Sequence, residues 1–260
     1  MSRDEGIIGV SDHGGWAVLV TVASDGRLLD RRRVELVDEE LPKIPHHSEG
    51  QGLAIDEAVA LVERVRESAE RHAKLGLDAV AMTTPGRIVG VALRQCPKLP
   101  ATIAERIKDY RAQNVADWVM YRRAIAAAAV ARGWAVYWFD AKKVFDAASE
   151  ALGIEDLNDY FLELRKSIGP PWSKDHKMAM AAAVVAARAR KRIDCDTNSE
   201  RVCGFPPLRQ KRKKQVHFGY AQCRLSTPLR ATQGRSGWQQ GCGLTGEITG
   251  IKLACPGGYL

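Results

Sequence analysis

The chain has 260 residues, enough for one large domain or a domain with a tail, and 45% of them are hydrophobic, which supplies a sizeable core. Its net charge of +8 is unevenly placed: residues 194–260 hold ten Lys/Arg against four Asp/Glu, so the body is nearly neutral. No segment is apolar for long enough to span a membrane, no cleavage pattern opens the chain, and none of the six cysteines forms a C-x-x-C pair, so a cytoplasmic protein is expected rather than a membrane protein, a disulfide scaffold or a zinc ribbon.

The first elements are three strands. Ile7, Ile8 and Val10 form a short buried strand, and Trp16 to Val22 is almost unbroken apolar and β-branched sequence. Between them lie Asp12, His13 and the pair Gly14-Gly15, which reads either as an acid at the mouth of a central strand or as a plain Asx-Gly turn. Ser24-Asp25-Gly26 is a hairpin turn into a third strand ending near Val37. The polar stretch 38–52, with Pro42, Pro45 and His46-His47, is expected to be a solvated loop rather than a metal site.

Apolar residues then recur at helical spacing from Ala54 to Ala73, and Gly76 is expected to end that helix. Leu77 to Met82 reads as a fourth buried strand, turned by Thr83-Thr84-Pro85-Gly86. Ile88 to Leu93 fits strand or loop, and Ile103 to Arg111 fits a helix. An Ala-rich helix from Val115 to Arg132 leads through Gly133 into a strand over Trp134–Phe139. Helices are expected over 143–152, 157–166 and 174–192, the last with a small, apolar middle that can pack closely on a sheet. A meander followed by crossover helices predicts an α/β fold, a mixed five-stranded sheet with helices on both faces.

Beyond Arg192 the apolar periodicity is lost, and residues 209–214 read RQKRKK. Residues 193–260 are expected to be a basic, Gly/Ser/Cys-containing tail, mostly disordered. It could contact nucleic acid, be a solvated extension, or be a segment foreign to the body.

Three stretches resemble the ribonuclease H-like superfamily, and within it the RuvC-type Holliday-junction resolvases. Gly9 to Gly15 is similar to that family's glycine-hydrophobe-Asp-x-Gly turn. Residues 114–144 are similar to its helix entering a strand that ends in a Pro-x-x-Val-Lys-like element. Lys174 to Ala183 is similar to the acid-x-x-Asp-Ala-x-Ala helix that closes its active site. The resemblance covers Gly6 to Arg192, within a domain expected over residues 1–192, and implies metal-dependent phosphodiester hydrolysis. Such chemistry uses two divalent cations, roughly 4 Å apart, held by several carboxylates.

On that resemblance Asp12 and Asp175 are ligands of Mg²⁺ or Mn²⁺, and His176 and Thr84 are auxiliaries. The second acid of the closing helix falls at Met178, and the acid expected after the fourth strand falls in Met82-Thr83-Thr84, where there is no carboxylate. The gap has three readings: a degenerate relative that binds without cutting, a site completed by His176 or a threonine hydroxyl, or entry of Asp140 or Asp146 from the fifth strand. Arg122, Arg123, Lys142 and Lys143 are candidate contacts to a nucleic-acid backbone, or a solvated face. The Asp12 turn and Asp-Gly hairpin also resemble the phosphate-binding start of the sugar-kinase/actin-like ATPases, but those need two such domains. DEDD-type transposases share the acid layout.

The expected function is a RuvC-like nuclease, on branched DNA before RNA, or its catalytically degenerate relative, with a homodimer as a candidate assembly. The alternative is a non-catalytic nucleic-acid-binding or scaffold protein in which Asp12 only shapes a turn.

Overall fold

A computed structural model of the chain describes residues 5–202, with side chains described to residue 192. The tail expected over 193–260 lies beyond the described side chains and, from 203, outside the described residues.

The chain opens with three antiparallel strands, β1 (Glu5–Asp12), β2 (Trp16–Ala23) and β3 (Leu28–Glu35), followed by α1 (Ile55–Thr83) and β4 (Arg87–Arg94). Then come α2 (Ile103–Lys108), α3 (Tyr110–Val130), β5 (Ala135–Phe139), α4 (Val144–Leu152), α5 (Leu157–Ile168) and α6 (Lys174–Val202). The sheet order is β3-β2-β1-β4-β5. β4 lies parallel to β1 and β5 parallel to β4. Three antiparallel strands extended by two parallel ones, with helices on both faces, is the ribonuclease H-like arrangement.

Alternation along the central strands sends side chains into two cores. Ile7, Val18, Val20 and Val22 meet the alanine-rich middle of α6 and the helices α4 and α5. Ile8, Val10 and Leu19 meet Val62, Val65, Leu77 and Val80 of α1 and Met120, Tyr121 and Ile125 of α3. The approach of α6 to β1 is closer than any side chain allows. A Cβ on Gly9 would fall 1.8 Å from the Ala179 carbonyl oxygen, so glycine is required there.

Two expectations are corrected. Gly76 does not end α1, and residues 77–82 are its last turns rather than a strand. Leu77 and Val80 are buried at helical spacing, and a Cβ on Gly76 would make only ordinary contact with Val34 Cγ1 of β3, at 3.4 Å. The fourth strand is therefore Arg87–Arg94. Nor is the 38–52 loop solvated throughout, because His46 is only 1% exposed. Asp117 of α3 reaches it: the carboxylate accepts the backbone N–H groups of His46 and His47 at 3.0 and 3.2 Å and the His46 Nδ1–H at 2.7 Å. Tyr121 adds a hydrogen bond to the Lys43 carbonyl at 2.8 Å.

Because β1, β4 and β5 run parallel, their C-terminal ends share one edge of the sheet. Asp12, Arg94 and Asp140 stand along that edge or just past it. The N-terminus of α6 meets it too, tied there by hydrogen bonds from Ser11 and His13 to Asp175.

Candidate functional site

A cavity of about 270 Å³ opens at this edge, lined by Ser11, Asp12, His13, Arg94, Trp118, Lys174, Asp175 and Met178. It contains both carboxylates on which the resemblance rests. Each is already engaged by the protein.

Asp12 ends β1 and is buried. Arg122, from the middle of α3 and itself buried, directs its Nε–H between the two carboxylate oxygens at 2.8 Å from each. Its Nη1 donates to the Gln95 carbonyl at 3.3 Å. Arg122 is therefore an internal counter-ion rather than an exposed contact for a nucleic-acid backbone.

Asp175 lies in the first turn of α6, where the helix N-terminus favours a negative charge. Its Oδ1 accepts from Ser11 Oγ at 3.0 Å and is 2.8 Å from His13 Nε2. Burial pushes its carboxyl up, but the hydrogen bonds from His13 and Ser11 outweigh burial, and its pKa lies below the ordinary value. The His13 ring is stacked on Trp16 at 4.0 Å, and the Arg33 guanidinium also sits 4.0 Å from the centre of the Trp16 ring. Ring stacking and the carboxylate bond together fix the orientation of His13.

His176 does not line the cavity that holds Asp12; it lines a second one with Trp16, Arg31, Pro171 and Ser173, and Asp175 borders both. Its Nδ1 accepts the Ser173 backbone N–H at 3.2 Å, which requires the neutral Nε2–H form. Burial, then the Arg31 charge, holds its pKa below the ordinary imidazole value against the pull of Asp175. Thr84 is at the wrong end of the molecule. It caps the C-terminus of α1, just before Arg87, which pairs with Glu5 at the start of β1. That is seven residues from Asp12, roughly 20 Å along a strand.

Relocating the fourth strand changes what stands at the position of the missing acid. The strand ends at Arg94, whose side chain lines the cavity, followed by Gln95 and Cys96. A cation thus stands near the place where the resemblance calls for a carboxylate. Burial pushes the Cys96 thiol up despite the nearby charges of Arg122 and Arg123, which disfavours a reactive thiolate. Met178, in place of the second acid of α6, is buried against the same cavity and offers a soft thioether. Asp140 accepts the Lys142 N–H at 2.9 Å in the turn after β5. Asp146 lines a separate cavity between α4, α5 and the start of α6. Lys142, Lys143 and Arg123 are exposed.

The donor set does not fit a two-metal centre. Hard divalent cations need several oxygen ligands, and among the described residues no three His, Cys, Asp or Glu side chains converge to hold a metal ion. Three cations, Arg94, Arg122 and Lys174, instead face two carboxylates. Sequence reasoning missed Arg94 because the fourth strand was displaced, and missed the role of Arg122 because its partner lies 110 residues away.

No protein-family model matches the chain, and no curated protein matches it in sequence. Among solved structures, it is similar to T. thermophilus RuvC in complex with Holliday junction substrate, at 18% identity and a TM-score of 0.43, over 72% of this chain and 96% of that one. A second Thermus thermophilus RuvC structure is similar at 17% identity and a TM-score of 0.40, with the same coverage. The ethanolamine utilization protein EutJ from Carboxydothermus hydrogenoformans is similar at 16% identity and a TM-score of 0.21, over 59% of this chain and 41% of that one. The strand order and its helical layers give the chain an α/β fold of the ribonuclease H-like kind.

Proposed function

We propose that this chain is a catalytically degenerate ribonuclease H-like protein that binds nucleic acid, DNA ahead of RNA, without metal-dependent hydrolysis. The observation that carries this reading is the Asp12–Arg122 pair. The carboxylate that would anchor a metal is buried and neutralised on both oxygens by a guanidinium. The cavity beside it supplies what a polynucleotide requires in place of metals. Arg94 and Lys174 offer positive charge to a phosphate, and Trp118 offers a flat apolar surface against which a base or sugar can lie. Arg123, Lys142 and Lys143 are exposed and are further candidate contacts to a phosphate backbone. Branched DNA is the first ligand to test, on the sequence resemblance of the Asp12 turn and the α6 start.

The test measures binding and cleavage together. Fluorescence anisotropy with labelled four-way junction, duplex and RNA–DNA hybrid, in the presence of a chelator, is expected to show binding that Lys174→Ala weakens. Incubation with Mg²⁺ or Mn²⁺ is expected to give no cleavage beyond that of Asp12→Asn. Metal-dependent cleavage that Asp12→Asn abolishes would restore the nuclease reading. Absence of binding to all three ligands would leave the scaffold reading.

A further inference from the structure

We infer that Arg122 is the resident cation of a former metal position: its guanidinium fills an oxygen-lined site formed by both Asp12 carboxylate oxygens and the Gln95 carbonyl, and so excludes a divalent ion from Asp12. The inference rests on the non-hydrolytic reading of the cleft and names what replaced the metal.

The three oxygens come from two adjacent parallel strands, Asp12 at the end of β1 and Gln95 just past the end of β4. They meet Arg122 nitrogens at 2.8, 2.8 and 3.3 Å. A carboxylate offering both oxygens beside a backbone carbonyl is a donor set suited to a hard cation. Here its occupant is covalently part of α3. The occupant therefore cannot be removed by chelation.

For a divalent ion to take the site, Arg122 would have to leave a position where its side chain is 7% exposed and its partner's 1%. The incoming ion would also face the charges of Arg94 and Lys174 across the cavity. The Oδ1 of Asp175 is committed to Ser11 and His13. The two acids thus have different roles. Asp12 anchors an internal cation, and Asp175 anchors the start of α6.

The experiment titrates Mn²⁺ alone, without nucleic acid, so that the metal response and the DNA-binding reading fail separately. Wild type, Asp12→Asn, Arg122→Gln and the double variant Arg122→Gln/Asp12→Asn are compared by the loss of the free-Mn²⁺ resonance signal. At about 1 mM Mn²⁺, the weak end for oxygen-ligand sites, wild type is expected to match Asp12→Asn. Arg122→Gln removes the charge and leaves an amide oxygen, and it is expected to gain Mn²⁺ binding that the double variant lacks. If Arg122→Gln is unfolded without metal, refolding it with Mn²⁺ and reading far-ultraviolet circular dichroism replaces the titration, and structure is expected to return only when Asp12 is present. Wild-type binding that Asp12→Asn removes would overturn the inference. So would Arg122→Gln showing no Asp12-dependent response to Mn²⁺ in either assay.

Discussion

Three carboxylates in this protein illustrate how a negative charge is stabilised by the fold, and each uses a different set of partners. Asp117 is stabilised by two backbone N–H groups and an imidazole, Asp12 by one guanidinium, and Asp38 by the side chains of His72, Ser68 and Arg71. The hydrogen bonds from His72 and Ser68, with Arg71, hold Asp38 at about 2, against 3.8 for the unperturbed group. Its folded pKa is depressed, so its contribution to stability is complete above 3.8 and is lost as pH falls through about 2. Urea unfolding of wild type and Asp38→Asn is expected to show a constant difference in midpoint above the upper value and a shrinking one below it. A difference that does not change with pH would contradict the assignment. Asp12 could be singled out from sequence because a lone acid beside a glycine turn is a local pattern. What neutralises it is a tertiary fact, and no periodicity or spacing encodes it.

At the scale of elements, most of the fold could be read from hydrophobic pattern, and the one large displacement has a clear cause. The run Leu77 to Met82 is short, apolar and preceded by glycine, a description that fits a buried strand and a buried helical end equally well. Gly76 tipped the reading towards a stop, whereas the helix runs through it and passes beside Val34 of β3. That slip carried the fourth strand away from Arg87–Arg94 and placed Thr84 at the candidate site. Gly9 is the opposite case, a glycine in a strand with no turn to make. Gly9→Ala is expected to force α6 off β1 and to cost about 3 kcal/mol or more, at or beyond the upper end of usual overpacking penalties, measured by chemical denaturation. A cost below about 1 kcal/mol would mean that α6 can slide outward with little loss of packing.

At the scale of the whole molecule, several arginines of the described residues are engaged inside the body. Arg31 donates to the carbonyls of Ile168, Gly169 and Pro171, Arg32 pairs with Asp30, and Arg132 with Asp78. These arginines brace the body, away from the cavity at the end of β1. If the proposed binding is correct, the logarithm of DNA affinity should fall linearly with the logarithm of salt concentration. Replacing Arg94 or Lys174 by alanine should reduce that slope by about 0.9 for each phosphate that the variant no longer neutralises. An unchanged slope in both variants would place the binding surface elsewhere.

The strand β1 is held at both of its ends by charged pairs to different helices. Glu5 at its start pairs with Arg87 of β4 and with Arg190 of α6, and Asp12 at its end pairs with Arg122 of α3. Between those ties it is hydrogen-bonded on both sides, to β2 and to β4. Fraying from either end would have to break an ion pair before the first ladder bond opened. The amide protons of Ile7 to Val10 should therefore exchange with solvent only when the domain as a whole unfolds.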